Sequence, residues 1–308
     1  MREDFVPLGE LPLEAQVQKL YELGEEAEAQ AVANQLDSRK GGLESFWRPP
    51  APYRHTQHQV GFIPPFDPGT EEKHKIISAS HAPVAAELKN QRINVRLEFL
   101  RVYQYPRPFL NLGDNKHTIL FTFEAQNQIP GGSEAVAFNQ AYEAASGQDA
   151  SVMGYPIFIG LGVGANGLVF SCKTVNIGNS NDEQLVAAIN SDAAKTGLSL
   201  LTTAQPALAP FVGVATGLCT SLANRSKNAA VQKIDLGLDF ETGAPGLRLG
   251  VGSYIVAQVP KANEITWSDW GFESASGTIV RTNLAEGEDA YTFPYNAIVF
   301  RISPFAGE

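Results

Sequence analysis

The chain has 308 residues, of which 44% are hydrophobic and 18% are charged. This balance is typical of a globular protein and excludes a disordered one, and the length predicts one large domain with an added segment, or two domains. The formal net charge is −10 and the Lys and Arg residues do not cluster, so no nucleic acid partner is expected.

Cysteine usage and the first residues favour a cytoplasmic protein. Only Cys172 and Cys219 are present, which excludes a disulfide scaffold, and we interpret both as reduced, small hydrophobic residues. Residues 1–4 are followed by no apolar run, so the sequence predicts no secretory signal.

Residues 11–39 have the apolar spacing of two short helices. Leu13 and Leu20 belong to one apolar stripe, Gly24 marks a break, and a second stripe follows. We therefore predict a helical hairpin and interpret residues 1–40 as a helical appendage, either packed on the main domain or detachable for regulation or docking.

Prolines are concentrated in the next region, residues 41–90, at Pro49, Pro50 and Pro52 and again within residues 62–69. Proline has no backbone donor and restricts the residue before it, so this region is predicted to be extended or looped and not a central strand. We interpret it as a strap or linker.

From about residue 91 the chain alternates between apolar and polar residues, as a half-buried strand does. Ile93, Val95 and Leu97 begin the pattern. Further strand patterns occupy residues 119–123, 156–161, 168–175, 234–240, 254–259, 278–282 and 297–302. Eight strands separated by Gly, Asn and Pro turns predict a mostly β fold, an antiparallel β-sandwich over residues 91–308. One common core is expected for Leu97, Phe99, Phe121, Phe123, Leu236, Leu238, Ile298 and Phe300.

Two helical segments are predicted between the strands. Residues 133–145 carry apolar residues at helical intervals, and the sequence Ser180–Glu183 matches a capping box that opens a helix. The second helix begins a mid-chain helical insert that we assign to residues 181–228.

The glycine-rich sequence Gly162–Gly167 matches the spacing of a dinucleotide-binding loop. That function requires a helix directly afterwards, whereas a strand pattern follows here, so nucleotide binding is not expected. Asn166-Gly167 is instead interpreted as a hairpin turn between two strands.

Carboxylates on one strand and in nearby loops are candidate ligands for a cation. Asp239 and Glu241 lie two residues apart and could share a cation such as calcium with the help of Asp114 or of the Asp269 and Glu273 loop. Solvated acidic faces are the alternative interpretation. We therefore predict no cofactor and leave calcium as the one alternative.

The longest stretch without Asp, Glu, Lys or Arg is residues 196–224, which is rich in Leu, Ala, Val and Gly. It is long enough to cross a bilayer, but Pro206 and Pro210 interrupt it. One interpretation is burial against a soluble domain, and the other is conditional insertion into a membrane. The residues expected to contact a membrane or partner are Phe211, Val212, Gly213, Val214, Gly217 and Leu218.

Strand runs such as Ile93–Phe99 and Tyr254–Val259 give residues 90–305 a pattern that resembles a C2-like β-sandwich. C2 domains commonly bind membranes or proteins, often through calcium held by loop aspartates, so the resemblance implies a binding module. This chain departs from the family by its helical insert and by lacking a clear cluster of loop aspartates. No ligand residue can therefore be carried over.

These features predict a non-enzymatic cytoplasmic interaction or effector protein that binds a partner protein or a membrane surface, with peripheral membrane association as a further expectation. A regulatory protease is a further expected partner, since cleavage could free a stored segment. The alternative is a hydrolase-type enzyme. No Gly-x-Ser-x-Gly elbow occurs and neither cysteine has a histidine close in sequence, so the catalytic site of such an enzyme would have to be assembled from scattered residues.

Overall fold

The structure is a computed structural model. It describes residues 4–39, 49–66, 73–106, 116–145, 147–150, 154–189, 198–200, 217–241, 246–274, 276–282 and 293–306. The protein is mostly β, with antiparallel sheets and a pair of helices at the N-terminal end, as the sequence predicted.

Sixteen strands are assigned within the described ranges. They are β1 Gln57–Ile63, β2 Lys73–Lys75, β3 Ile77–Ser78, β4 Arg92–Val102, β5 Lys116–Ile129, β6 Gly132–Ala145, β7 Gln148–Ala150, β8 Tyr155–Gly162, β9 Gly167–Ile177, β10 Leu198–Ser199, β11 Ala229–Asp239, β12 Leu247–Arg248, β13 Gly252–Val259, β14 Trp270–Glu273, β15 Thr278–Arg281 and β16 Ala297–Pro304.

These strands form three sheets. The first sheet has the order β10-β8-β4-β16-β13-β1-β3, with β7 also paired to β4. The second sheet has the order β12-β11-β9-β5-β6, and the third is the small sheet β15-β14-β2. Pairing is antiparallel except for the two-residue strands β10 and β12, which run parallel to β8 and β11.

Three hydrophobic clusters pack against the faces of the two larger sheets. The main core lies between the first and second sheets. A second cluster lies on the other face of the first sheet, where Trp270 and Phe272 of the third sheet cover Ile255 and Val299. A third cluster lies on the outer face of the second sheet, the face turned away from the first sheet.

All eight strands predicted from alternation are present, and the expected common core is confirmed except at Phe99. Leu97 pairs with Phe300 in the main core, whereas Phe99 pairs with Val299 in the cluster on the opposite face. The register shifts between these pairs because Glu98 is an extra residue in β4. Such a bulge reverses the facing of every residue after it.

The helix predicted for residues 133–145 is wrong, because this segment is strand β6. Val136, Phe138 and Tyr142 are buried in the main core with a period of two. A tight turn with Gly131 at φ 86° lets β6 pair along its whole length with β5. The turn predicted at Asn166-Gly167 is present, since Gly164 and Gly167 exchange backbone hydrogen bonds, but the predicted hairpin is wrong because β8 and β9 belong to different sheets.

The Pro-rich region contains three strands that the sequence did not predict, β1, β2 and β3. β1 pairs along its whole length with β13 and over two residues with β3. The prolines of this region lie outside β1, so they leave its backbone donors available for pairing. The domain boundaries proposed from the sequence remain predictions.

The predicted helical hairpin is confirmed as α1, Leu13–Glu22, and α2, Glu26–Arg39. Gly24 between them has φ 75°, a conformation that glycine adopts without steric cost. The helices bury apolar side chains in the main core: Leu20, Leu23, Ala29 and Val32.

A buried ion pair also ties the hairpin to the strand region. The Arg54 guanidinium lies 2.6 Å from the Glu28 carboxylate, and both side chains are less than a tenth exposed. Gln16 of α1 accepts a further hydrogen bond from Arg54. The hairpin is therefore packed as part of the sandwich.

Leu236→Ala tests the main core. Leu236 on β11 is 8% exposed and packs between the sheets. Its truncation should lower the free energy of unfolding by about 2 to 5 kcal/mol through lost burial and a residual cavity. Urea denaturation measures the change. Asp235→Ala, one residue earlier on the exposed face, is the matched control and should cost less than about 0.5 kcal/mol. Equal costs at both positions would contradict the sandwich packing.

Candidate functional site

The candidate site is an apolar cluster on the outer face of the second sheet. Five apolar residues of that face are Leu120, Ala141, Val175, Ile177 and Ala230. They are covered by Val186 of helix α3, Ser180–Ile189, by Cys219, Leu222 and Ala223 of the helical residues 217–223, which we call α4, and by Phe5. We call these ten residues the outer cluster.

Helix α3 is confirmed, but its N-cap lies one residue before the predicted capping box. The side-chain oxygen of Asn179 accepts the backbone N–H of Asn181 at 3.1 Å, and its backbone carbonyl accepts from Asp182 and Glu183. Asn is among the strongest N-cap residues because its side chain satisfies an otherwise unpaired donor. This cap fixes Asp182 in the first turn of α3.

Asp182 connects α3 to the chain that follows α4. Its side chain is 2% exposed, pairs with the Arg225 guanidinium and accepts a hydrogen bond from the Asn228 amide at 2.7 Å. The Asn228 amide also donates to the carbonyl of Leu222 in α4, and its oxygen accepts from Gly178. We call Asp182, Arg225 and Asn228 the polar lock.

The predicted contact residues divide into two groups. Phe211, Val212, Gly213 and Val214 lie outside the described residues. Gly217 and Leu218 are on α4, where Gly217 is exposed and Leu218 packs against the outer cluster. The structure therefore brings the last two together at the docked end of the apolar segment.

Residues 198–200, in the first part of the apolar segment, are held at the first sheet. β10 pairs with β8 over two residues, and the Leu200 N–H donates to the carbonyl of Ile159 at 2.9 Å. Leu200 is buried in the main core. Residues 198–200 and residues 217–223 are thus held on different sheets.

No helix within the described residues combines the length and the apolar character that crossing a bilayer requires.

The predicted cation ligands do not form a described cluster. Asp239 accepts the backbone N–H of Glu241 at 2.9 Å, so its carboxylate stabilises the turn there. Asp114 lies outside the described residues. In the described part of the chain, no group of three His, Cys, Asp or Glu side chains is placed to hold a metal ion. Calcium binding therefore stays a prediction.

The thiols lie in environments that suppress their ionisation. Burial raises the pKa of Cys172 well above its usual value and raises the pKa of Cys219 to about 11. The thiolate is the reactive form, so both thiols are poor nucleophiles at neutral pH.

Burial also lowers the pKa of His58 to about 4, which keeps its imidazole neutral at pH 7.

An open cleft of about 470 Å³ lies at the end of the second sheet. It is formed by the turn between β8 and β9 and by the ends of β5 and β11. Its lining includes Gln126, Gln128, Asn166, Val169, Gly237 and Asp239. The lining offers side-chain amides and one carboxylate, and it includes Asp239 of the predicted cation site.

Comparison with known proteins gives no relative. No family model, curated protein or solved structure matches this chain. The C2-like resemblance therefore rests on the strand pattern, and the functional inference rests on the site itself.

The site residues that sequence reasoning missed are Phe5, Asp182, Arg225 and Asn228. Asp182 left a partial signal, because it lies in the sequence that was interpreted as a capping box. The other three act through contacts between segments that are distant in sequence, for which local patterns give no signal.

Asp182→Ala tests the polar lock. The substitution removes the acceptor of the buried Asn228 amide, so it should lower the free energy of unfolding by about 1 to 3 kcal/mol, as measured by urea denaturation. Glu183→Ala is the matched control in the same helical turn and should cost at most about 1 kcal/mol. If the two variants were equally stable, the polar lock would contribute nothing beyond the helix dipole.

Proposed function

We propose that this chain is a non-enzymatic cytoplasmic interaction or effector protein. Its binding element is residues 196–224, which are stored on the sandwich and released to engage a membrane surface, so that the protein associates peripherally with the membrane. A regulatory protease is one candidate trigger. A partner protein is the alternative target of the released segment.

The observation that carries the proposal is the short anchoring at both ends of this segment. One anchor is the two-residue strand β10 with Leu200, and the other is α4, with Cys219, Leu222 and Ala223 buried. Elements with few buried contacts open at a lower free energy than core strands do. The anchors can therefore open while the two sheets remain paired.

The charge pattern favours a neutral surface. Residues 196–224 carry no Asp, Glu, Lys or Arg, while the whole chain has a formal net charge of −10. An anionic bilayer would repel the protein, whereas a zwitterionic bilayer would not. Phosphatidylcholine vesicles are therefore the first probe.

A reversible disulfide tests the proposal. Thr122 of β5 lies on the outer face of the second sheet, and its side chain interacts with the Cys219 thiol. In Thr122→Cys, oxidation should join residue 122 to Cys219 and hold α4 on the sheet, with loss of two of the three thiols. Vesicle sedimentation and dye leakage should fall about tenfold or more on oxidation, because the disulfide keeps α4 on the sheet, and should return on reduction. A tenfold fall in binding corresponds to about 1.4 kcal/mol.

The double variant Thr122→Cys/Cys219→Ala is the matched control, since it cannot form this disulfide. Its membrane activity should not change on oxidation. Equal activity of oxidised and reduced Thr122→Cys would overturn α4 release. If the reduced protein acts on vesicles neither before nor after limited trypsin cleavage, the membrane proposal fails and the partner-protein alternative replaces it.

A further inference from the structure

Phe5 closes the outer cluster from the N-terminal end of the chain. Its side chain is 7% exposed and packs in the same cluster as Cys219 and Leu222 of α4. The Lys173 ammonium lies 5.9 Å from the centre of the Phe5 ring. Lys173 is itself held by Glu124 at 2.7 Å, so the cation beneath the ring has a fixed position.

Lys19 of α1 makes a second contact with the same region. Its ammonium donates a hydrogen bond of 2.8 Å to the backbone carbonyl of Arg225. Arg225 follows α4 and belongs to the polar lock. Two side chains from the first part of the chain thus reach this region: Phe5 lies in the cluster that buries the apolar face of α4, and Lys19 bonds just after the end of α4.

We propose that residues 4–22 are an intramolecular clamp that holds α4 against the second sheet, so that displacing Phe5 frees the helix. The clamp deepens the proposed function, on which its biological meaning rests, by assigning the control of release to this segment. The physical claim, that Phe5 and Lys19 set the docking equilibrium of α4, can be measured without any membrane.

Packing on the second sheet stabilises α4. Most of the stability of a helix in a protein comes from burial of its apolar face, which here includes Cys219, Leu222 and Ala223. Phe5 is the largest side chain in the outer cluster. Truncating Phe5 therefore removes more buried apolar volume from this cluster than truncating any other member would.

Release does not require the whole hairpin to detach. Leu20, Leu23, Ala29 and Val32 are buried in the main core, so removing α1 and α2 would expose the interior of the sandwich. Phe5 precedes α1 and belongs to a different cluster. A partner that captures Phe5, or a cleavage after it, would loosen α4 and leave the hairpin in place.

Thiol labelling of the full-length protein tests the clamp. Cys219 on α4 and Cys172 in the main core are both buried, so their labelling rates report opening of α4 and opening of the core. Labelling with a maleimide under native conditions, followed by mass spectrometry of peptides, gives both rates from one sample.

Phe5→Ala should accelerate labelling of Cys219 about tenfold or more and leave Cys172 unchanged, because it removes packing from the outer cluster alone. Lys19→Gln should accelerate Cys219 less, through loss of one hydrogen bond. Phe5→Leu should restore most of the protection. Tyr21→Ala is the matched control, since it truncates an aromatic side chain of α1 that is 48% exposed.

Three results would overturn the clamp. They are unchanged Cys219 labelling in folded Phe5→Ala, equal acceleration at Cys219 and Cys172, and an effect of Tyr21→Ala as large as that of Phe5→Ala. Vesicle sedimentation of Phe5→Ala separates the two proposals. Faster Cys219 labelling without vesicle binding supports the clamp and counts against the membrane as the target.

Discussion

Part of the second sheet is apolar on both faces, and the arrangement of the site follows from that constraint. Along β9, Phe170 and Cys172 face the main core while Val175 and Ile177 face outward. An uncovered apolar face of this kind would promote association with other molecules. Helices α3 and α4 and the Phe5 side chain supply the cover. The end of the apolar segment is therefore part of the layer that keeps the second sheet out of water.

The main core and the outer cover are built differently. In the core, Phe300 contacts Phe123, Phe170 and Tyr254 at ring-centre distances of 5.6, 5.4 and 5.3 Å, so one aromatic side chain joins both sheets. The cover depends on short helices, one aromatic ring and the polar lock. Because local stability follows buried contacts, we expect the cover to open well before the core does. Under the proposed function, this difference would let the segment leave while the fold persists.

The parts of the fold that sequence could predict are those with a local period. Alternation located all eight expected strands, and Gly24 located the break in the helical hairpin. β6 was misread because alanine-rich sequence favours helix, whereas its pairing with β5 decides the structure. Phe99 was misplaced because the bulge at Glu98 cannot be seen from spacing alone. The roles of Phe5 and Asp182 depend on contacts between distant segments, so the sequence located α4's segment but not the residues that hold it.

The central claim is that α4 leaves the second sheet on binding while both sheets stay folded. Hydrogen exchange with mass spectrometry on the full-length protein, with and without phosphatidylcholine vesicles, measures this directly. The account predicts that vesicles lower the protection of the residue 217–223 amides from hydrogen exchange. The protection of β9 and β11 should stay unchanged. Unchanged exchange at residues 217–223 in protein that has bound the vesicles would contradict it, and so would equal loss of protection in β9 and β11.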